Sequence, residues 1–137
     1  MKPGVDATRA ISKLTALRRG AITFQANILQ DAGAFFLNRL VNETLNGAYV
    51  NRITGMLVRS QTLIPIEAGI MIAANLSIAP YAPQVAARTL ARYGNDYLRI
   101  TQHFTEPDIR KGVAKEWERL GEQIDKTGKY RYRNPYA

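Results

Sequence analysis

The chain has 137 residues and a net charge of +8, from nineteen Lys and Arg against eleven Asp and Glu. That length fits a single domain that buries roughly two thirds of its unfolded surface. Because the chain has no cysteine, a disulfide framework, a thiol nucleophile and a cysteine-ligated metal site are all excluded.

No segment predicts export or membrane insertion. The longest apolar run, residues 68–74, is far shorter than the roughly 20 residues of a membrane-spanning helix. The first ten residues lack the apolar core of a signal peptide. We therefore expect a soluble protein that is not exported and has no membrane partner.

The first third of the chain predicts two helices. Asp6 is suited to cap a helix over about residues 7–19, and Gly20 weakens or ends it. A second helix, over about 21–46, has the broad apolar face of a central core helix. Gly33 within it predicts a close-packing point or a kink. The apolar positions are Ala10, Ile11, Leu14 and Leu17 in the first helix, and Ile22, Ala26, Leu29, Ala32, Phe36, Leu40 and Leu45 in the second.

A β-hairpin is predicted next, with strands over residues 56–64 and 68–77 and a turn over 65–69. Pro65 cannot donate a ladder hydrogen bond, so the first strand is predicted to end there at an edge or a turn. Side chains of a strand point alternately to its two faces. One predicted face of the first strand consists of Leu57, Arg59, Gln61 and Leu63.

The last part of the chain predicts a third strand and a final helix. Residues 84–87 favour one or two helical turns, and residues 97–104 alternate like a strand or extended segment. Thr105 is suited to cap a helix that runs to about residue 126. The apolar stripe of that helix is Ile109, Val113, Trp117, Leu120 and Ile124.

Together these elements predict an α+β fold. A small antiparallel β-sheet, made of the hairpin and the third strand, packs against a long central helix and a C-terminal helix. We expect one domain over residues 1–126, with an N-terminal helical segment, and a basic, tyrosine-rich arm over 127–137. Three strands leave unpaired sheet edges, which can pair with another chain.

Catalysis is poorly supported by the residues present. The chain has one histidine, His103, with no Ser and Asp arranged around it as a triad. Arg119 lies three residues from both Glu116 and Glu122, which is the spacing of helical ion pairs on a solvated face. No glycine-rich phosphate loop is present. We expect no enzyme activity, no cofactor and no metal site.

The C-terminal arm interleaves cations with aromatic rings. Such a pattern is typical of single-strand nucleic-acid binding, but Tyr and Arg are also enriched at protein interfaces. In the first interpretation the arm and the first helix face DNA, and in the second the arm docks on a neighbouring subunit. The DNA-facing candidates are Lys13, Arg18, Arg19 and Lys129.

Two short motifs carry a resemblance to a known family. Thr54, Gly55, Leu57 and Ser60 match a Thr-Gly-x-Leu-x-x-Ser strand opening, and Arg59 falls one place beyond a common basic position. A second motif matches at Tyr81, Ala82 and Val85, with Ala86 in place of the usual acid. In these motifs, and in the order of its elements over about residues 20–125, the chain resembles the tail-completion or head–tail joining (neck) proteins of long-tailed bacteriophages.

The resemblance implies a structural role in the virion. Proteins of this family form a ring, commonly a hexamer, that joins the head connector to the tail tube and leaves a channel for DNA. They have no catalytic residues and no cofactor. The implied partners are further copies of the chain, connector and tail-tube proteins, and passing DNA. The implied location is the virion neck, after assembly in the host cytoplasm.

Residues near the hairpin and in the arm are the candidates for subunit contact. In such a ring, the hairpin of one subunit could extend the sheet of the next. The candidates are Thr54, Gly55, Leu57, Arg59, Ser60, Glu67, Tyr81, Tyr130, Arg131, Tyr132, Arg133 and Tyr136.

Overall fold

The chain folds mainly as helix, in two compact units. A computed structural model describes residues 3–48, 55–67 and 69–137. Unit 1 consists of Met1–Leu29 and Arg110–Ala137, and unit 2 consists of Gln30–Ile109. Thr54 lies outside the described residues.

Seven elements make up the described chain. In chain order they are the helix α1 (Pro3–Arg39), a π-helix (Leu40–Ala48), the short helix α2 (Met56–Ser60), the strands β1 (Gln61–Ile66) and β2 (Gly69–Ala74), and the helices α3 (Ala82–Tyr93) and α4 (Tyr97–Thr127). The helices α1 and α4 each contribute residues to both units. In the described ranges, no helix combines the length and apolar character needed to cross a membrane.

The predicted break at Gly20 is wrong, because α1 continues through it. One glycine destabilises a helix interior by only about 1 kcal/mol relative to alanine. Phe24 and Ile28, on the following turns, are buried against Leu120 and Ile124 of α4, and this burial outweighs the glycine. Tertiary packing therefore decides the length of α1.

The predicted third strand is also wrong, because residues 97–104 form the start of α4. The Asp96 carboxylate accepts a hydrogen bond of 2.9 Å from the Arg99 N–H and so caps the helix. Tyr97, Thr101 and Thr105 are buried at a spacing of four residues, which is helical. Thr105 lies inside the helix and does not cap it.

The predicted hairpin exists, but it begins later than expected. The strands pair antiparallel from Gln61 opposite Ala74 to Ile66 opposite Gly69, so the sheet has two strands. Residues 56–60 form α2 instead of a strand, after Gly55 in the left-handed conformation (φ 73°). The structure thus combines long helices with one small antiparallel sheet.

Unit 2 encloses its own core. The buried apolar residues come from the π-helix, α2, the turn before α3, α3 itself and α4, and they are Leu40, Leu45, Leu57, Ala79, Ala82 and Tyr97. Gly33 of α1 is the close-packing point that its sequence predicts. A Cβ atom added there would lie 3.2 Å from both Leu63 Cδ2 and Ile70 Cγ2, so the hairpin lies directly on the glycine.

Substitutions at Gly33 should distinguish the contribution of helix propensity to stability from the contribution of the hairpin contact. We expect Gly33→Ala to change the free energy of unfolding little, because the gain in helix propensity offsets the tight contact. Gly33→Leu should destabilise by about 1–3 kcal/mol, because its side chain displaces the hairpin. Urea unfolding followed by circular dichroism measures both variants, and equal stabilities would contradict the contact.

Candidate interaction surfaces

The hairpin has one face on the protein and one apolar face toward solvent. Leu63 and Ile70 point inward to Gly33. On the outer face, Ile64 lies opposite Met71 across the strand pair, with Ile66 beside them. These three side chains are 39–50% exposed. Cross-strand neighbours of this kind form a contiguous apolar surface.

Each strand of the hairpin has one edge that no third strand occupies among the described residues. Within the residues that the structure describes, β1 and β2 pair with each other and with no further strand. An open edge presents backbone N–H and C=O groups that a strand of another chain can pair with. The outer face and the two edges therefore form one candidate contact surface, which we call the hairpin surface.

The other predicted contact residues near the hairpin differ in their exposure to solvent. Leu57 and Ser60 are buried, and the Ser60 hydroxyl donates a hydrogen bond of 2.6 Å to the Leu57 carbonyl oxygen. This packing corrects their assignment to subunit contact, since they hold α2 inside unit 2. Arg59 and Glu67 are exposed, and Tyr81 is half-buried against the unit 2 core.

The C-terminal arm docks on its own α4, within unit 1. Tyr130, Tyr132 and Tyr136 are half-buried against the core cluster of that unit. The Tyr136 ring lies on Gly112, where an added Cβ atom would overlap it. Gly128, in the left-handed conformation (φ 71°), turns the chain from α4 into the arm. The arm thus has an intrachain partner for its tyrosines, instead of leaving them to a neighbouring subunit.

The carboxylate of Glu116 anchors this arm. The residue is 2% exposed, although the sequence predicts a solvated position. Arg119 donates to it at 2.6 Å, the Tyr130 hydroxyl at 2.7 Å and the Arg133 N–H at 3.1 Å. Arg119 also donates to the Arg131 carbonyl oxygen. One buried acceptor therefore joins α4 to three residues of the arm, directly or through Arg119.

This network shifts two pKa values in opposite directions. Burial raises the pKa of Glu116, but the hydrogen bonds from Arg119, Tyr130 and the Arg133 N–H outweigh it, so that the pKa is lowered. Burial and the hydrogen bond to the Glu116 carboxylate raise the pKa of Tyr130. The docked arm therefore favours the ionised Glu116 carboxylate and the protonated Tyr130 hydroxyl, and both groups stabilise it at neutral pH.

The whole excess of positive charge belongs to unit 1. Its sequence holds thirteen Lys and Arg against five Asp and Glu, whereas unit 2 holds six of each. Of the predicted DNA-facing residues, Arg18, Arg19 and Lys129 are exposed, and Lys13 forms an ion pair with Asp125. Arg131 and Arg133 are also exposed. The fold therefore brings the two basic ends of the sequence into one unit.

The single histidine and the possible metal ligands are the remaining side chains to place. His103 is exposed on α4. Among the described residues, no group of three His, Cys, Asp or Glu could hold a metal ion. The features that are present, an apolar strand face and a cationic unit, suit binding to other macromolecules.

Sequence reasoning missed Glu116, although a signal for it exists. Val113, Glu116, Leu120 and Ile124 fall at successive spacings of three and four residues, so Glu116 occupies a core position of the α4 stripe. An acid at a core position predicts a buried partner.

Comparison with known proteins found no match to a protein-family model, a curated protein or a solved structure.

Removing the Glu116 charge should release the arm. We expect Glu116→Gln to weaken docking by about 2 kcal/mol, because its charged hydrogen bonds are lost. Cleavage by trypsin after Arg131 should then be about 30-fold faster, since cleavage follows the open population. The matched control is Glu118→Gln, which removes an exposed charge from the same helix. Equal cleavage of both variants would contradict the anchor.

The docked arm should also respond to pH at both extremes. Since the Glu116 pKa is lowered, its stabilisation is complete above its ordinary value of 4.5 and is lost as the pH falls below it. Since the Tyr130 pKa is raised, its stabilisation is complete below its ordinary value of 10.0 and is lost as the pH rises above it. Hydrogen exchange of the arm amides against pH measures both limits. If the protection of the arm amides stayed constant below pH 4.5 and above pH 10.0, the network would be contradicted.

Proposed function

We propose that this protein is a structural assembly subunit whose copies join through the hairpin surface. The observation that carries the proposal is an apolar outer face on a hairpin that pairs with no third strand among the described residues. A two-stranded hairpin is marginally stable alone, and a third strand from a neighbour would satisfy one edge. Another element of the same neighbour, packed on the outer face, would cover Ile64, Ile66 and Met71.

Such a contact favours a ring. The edge of β1 and the edge of β2 are different surfaces, so β1 of one copy pairing with β2 of the next is a head-to-tail contact. Head-to-tail contacts close into a ring when the rotation between copies allows it. A ring of this kind needs neither a cofactor nor a catalytic group.

The specific role that we propose is a subunit of the phage neck or tail terminus. Support comes from the sequence motif at residues 54–60, in which Gly55 has a backbone conformation that favours glycine. The matching residues Leu57 and Ser60 are buried in the helix α2, whereas the family motif opens a strand. The ring would join the head connector to the tail tube, with a central channel for DNA. The protein would belong to the virion, after assembly in the host cytoplasm.

A charge on the outer face of the hairpin should prevent assembly. We expect the wild-type chain to form a ring, with a hexamer as the expected size, and Ile64→Glu to remain monomeric because it places a charge in the contact. Leu90→Glu, at an exposed leucine of α3, is the matched control. Size-exclusion chromatography with light scattering measures the masses. A wild-type chain that stays monomeric, even with connector and tail-tube proteins, would overturn the proposal.

Nucleic-acid binding by unit 1 is the second candidate function. The observation that favours it is the concentration of the entire net charge of +8 in that unit. The half-buried tyrosines of the arm have little surface left for base stacking, so the exposed cations would carry the affinity through phosphate contacts. A ring with cationic units could combine this role with assembly.

Binding to single-stranded DNA should depend steeply on salt. We expect the triple variant Lys129→Ala, Arg131→Ala, Arg133→Ala to reduce the slope of log affinity against log salt by about 2. The control removes three exposed cations of unit 2: Arg88, Arg92 and Arg99. Fluorescence anisotropy with an oligonucleotide of about 30 nucleotides, at about 50–200 mM salt, gives the slopes. No binding at the lowest salt would exclude this function.

A further inference from the structure

The unit 1 part of α1 has two apolar stripes, and one of them is uncovered. Phe24 and Ile28 are buried against α4. A second set, which the sequence predicts as core, is 49–66% exposed. We call this second set the outer stripe, and it consists of Ile11, Leu14, Ile22 and Leu29.

Helix geometry places the outer stripe on one side of α1. At 3.6 residues per turn, Ile11 and Leu29 are five turns apart and point in the same direction, and Leu14 and Ile22 lie within about 60° of them. The buried stripe points about a third of a turn away. The outer stripe is about 27 Å long at 1.5 Å per residue, which is the length of a helix-packing seam.

The exposed aliphatic side chains of the outer stripe are aligned on one side of the helix and are not scattered over the surface. Single exposed apolar residues are ordinary, but four exposed aliphatic side chains aligned on one side of a helix indicate a binding surface. Neighbouring positions along one side of a helix are three or four residues apart. The outer stripe follows this spacing at residues 11, 14, 18 and 22. The next stripe residue is Leu29, seven residues later, so one position between 22 and 29 has no large apolar side chain. The position at 18 is Arg18, so the stripe has a cation in its middle.

The charges around the stripe select its partner. Residues 7–30 include Arg9, Lys13, Arg18 and Arg19 and no acid. Neither Arg18 nor Arg19 forms an ion pair with another described residue. If a second copy of α1 packed in parallel on this stripe, Arg18 would face Arg18. In a parallel or an antiparallel arrangement, the contact would also bring together two units that each have a net charge of +8. Self-association through this stripe is therefore disfavoured.

We infer that the outer stripe of α1 is the docking site for an amphipathic helix of a partner protein that has acidic residues beside its apolar face. The apolar side chains would pack along the seam, and the partner's carboxylates would pair with Arg18 and Arg19. This contact lies in unit 1 and does not require assembly through the hairpin surface, so the two proposals fail or hold separately.

A designed peptide serves as the probe. It has about three heptads, with Leu at the a and d positions and Glu at e and g, and its own dimer is disfavoured by Glu–Glu repulsion. A matched peptide has Lys in place of Glu. Isothermal titration calorimetry with the full chain should detect binding of the Glu peptide and at least tenfold weaker binding of the Lys peptide.

Variants of the stripe and of its charges then test the site. The double variant Leu14→Glu, Ile22→Glu should weaken the Glu peptide at least tenfold, and Leu90→Glu in α3 should leave it unchanged. The double variant Arg18→Glu, Arg19→Glu keeps the apolar stripe and should reverse the preference toward the Lys peptide. Circular dichroism checks that each variant keeps its helix content.

Three outcomes would overturn the inference. They are no binding of the Glu peptide, equal binding of the Glu peptide to the wild type and to the stripe variant, and a peptide-free dimer that dissociates on Leu14→Glu. The last outcome, measured by light scattering, would assign the stripe to a second copy of the chain.

Discussion

The buried carboxylate of Glu116 is the contact on which the organisation of unit 1 depends. An isolated buried carboxylate is unfavourable by several kcal/mol, so its position requires donors from other parts of the chain. The donors come from Arg119 of the same helix and from Tyr130 and Arg133 of the arm. Because these bonds fix the arm backbone, the three tyrosines are held against the unit 1 core.

The same contact determines which cations remain available. Arg119 is held by Glu116 and by the Arg131 carbonyl oxygen, so its charge is used inside the unit. Arg133 contributes its backbone N–H and leaves its guanidinium exposed, and Lys129 and Arg131 are exposed as well. The arm is thus an ordered segment whose aromatic rings pack inward while its cations face solvent, a division that a tyrosine–arginine pattern does not reveal alone.

Local signals predicted the parts of the fold that depend on local chemistry. The hairpin, the packing at Gly33 and the ion pair between Arg119 and Glu116 all follow from the spacing of neighbouring residues. The start of α4 was missed because residues 97–104 satisfy both an alternating and a helical pattern. Asp96, which caps the helix, decides between them, and its role depends on a single hydrogen bond. Local patterns also did not reveal the burial of Leu57 and Ser60, which the sequence predicts as subunit-contact residues.

The two apolar stripes of α1 show why periodicity cannot identify the inside of a protein. Ile22 and Leu29 are as apolar and as regularly spaced as Phe24 and Ile28, yet the first pair is exposed and the second is buried. Which stripe is covered depends on Leu120 and Ile124 of α4, which lie more than 90 positions later in the sequence. The units also differ in charge: unit 2, with a net charge of zero, contains the hairpin surface, and unit 1 contains the whole excess of +8. Contact between identical copies meets little repulsion at a neutral unit, whereas a cationic unit attracts acidic partners. The distribution of charge therefore supports the two proposals, self-assembly through unit 2 and binding of other macromolecules through unit 1.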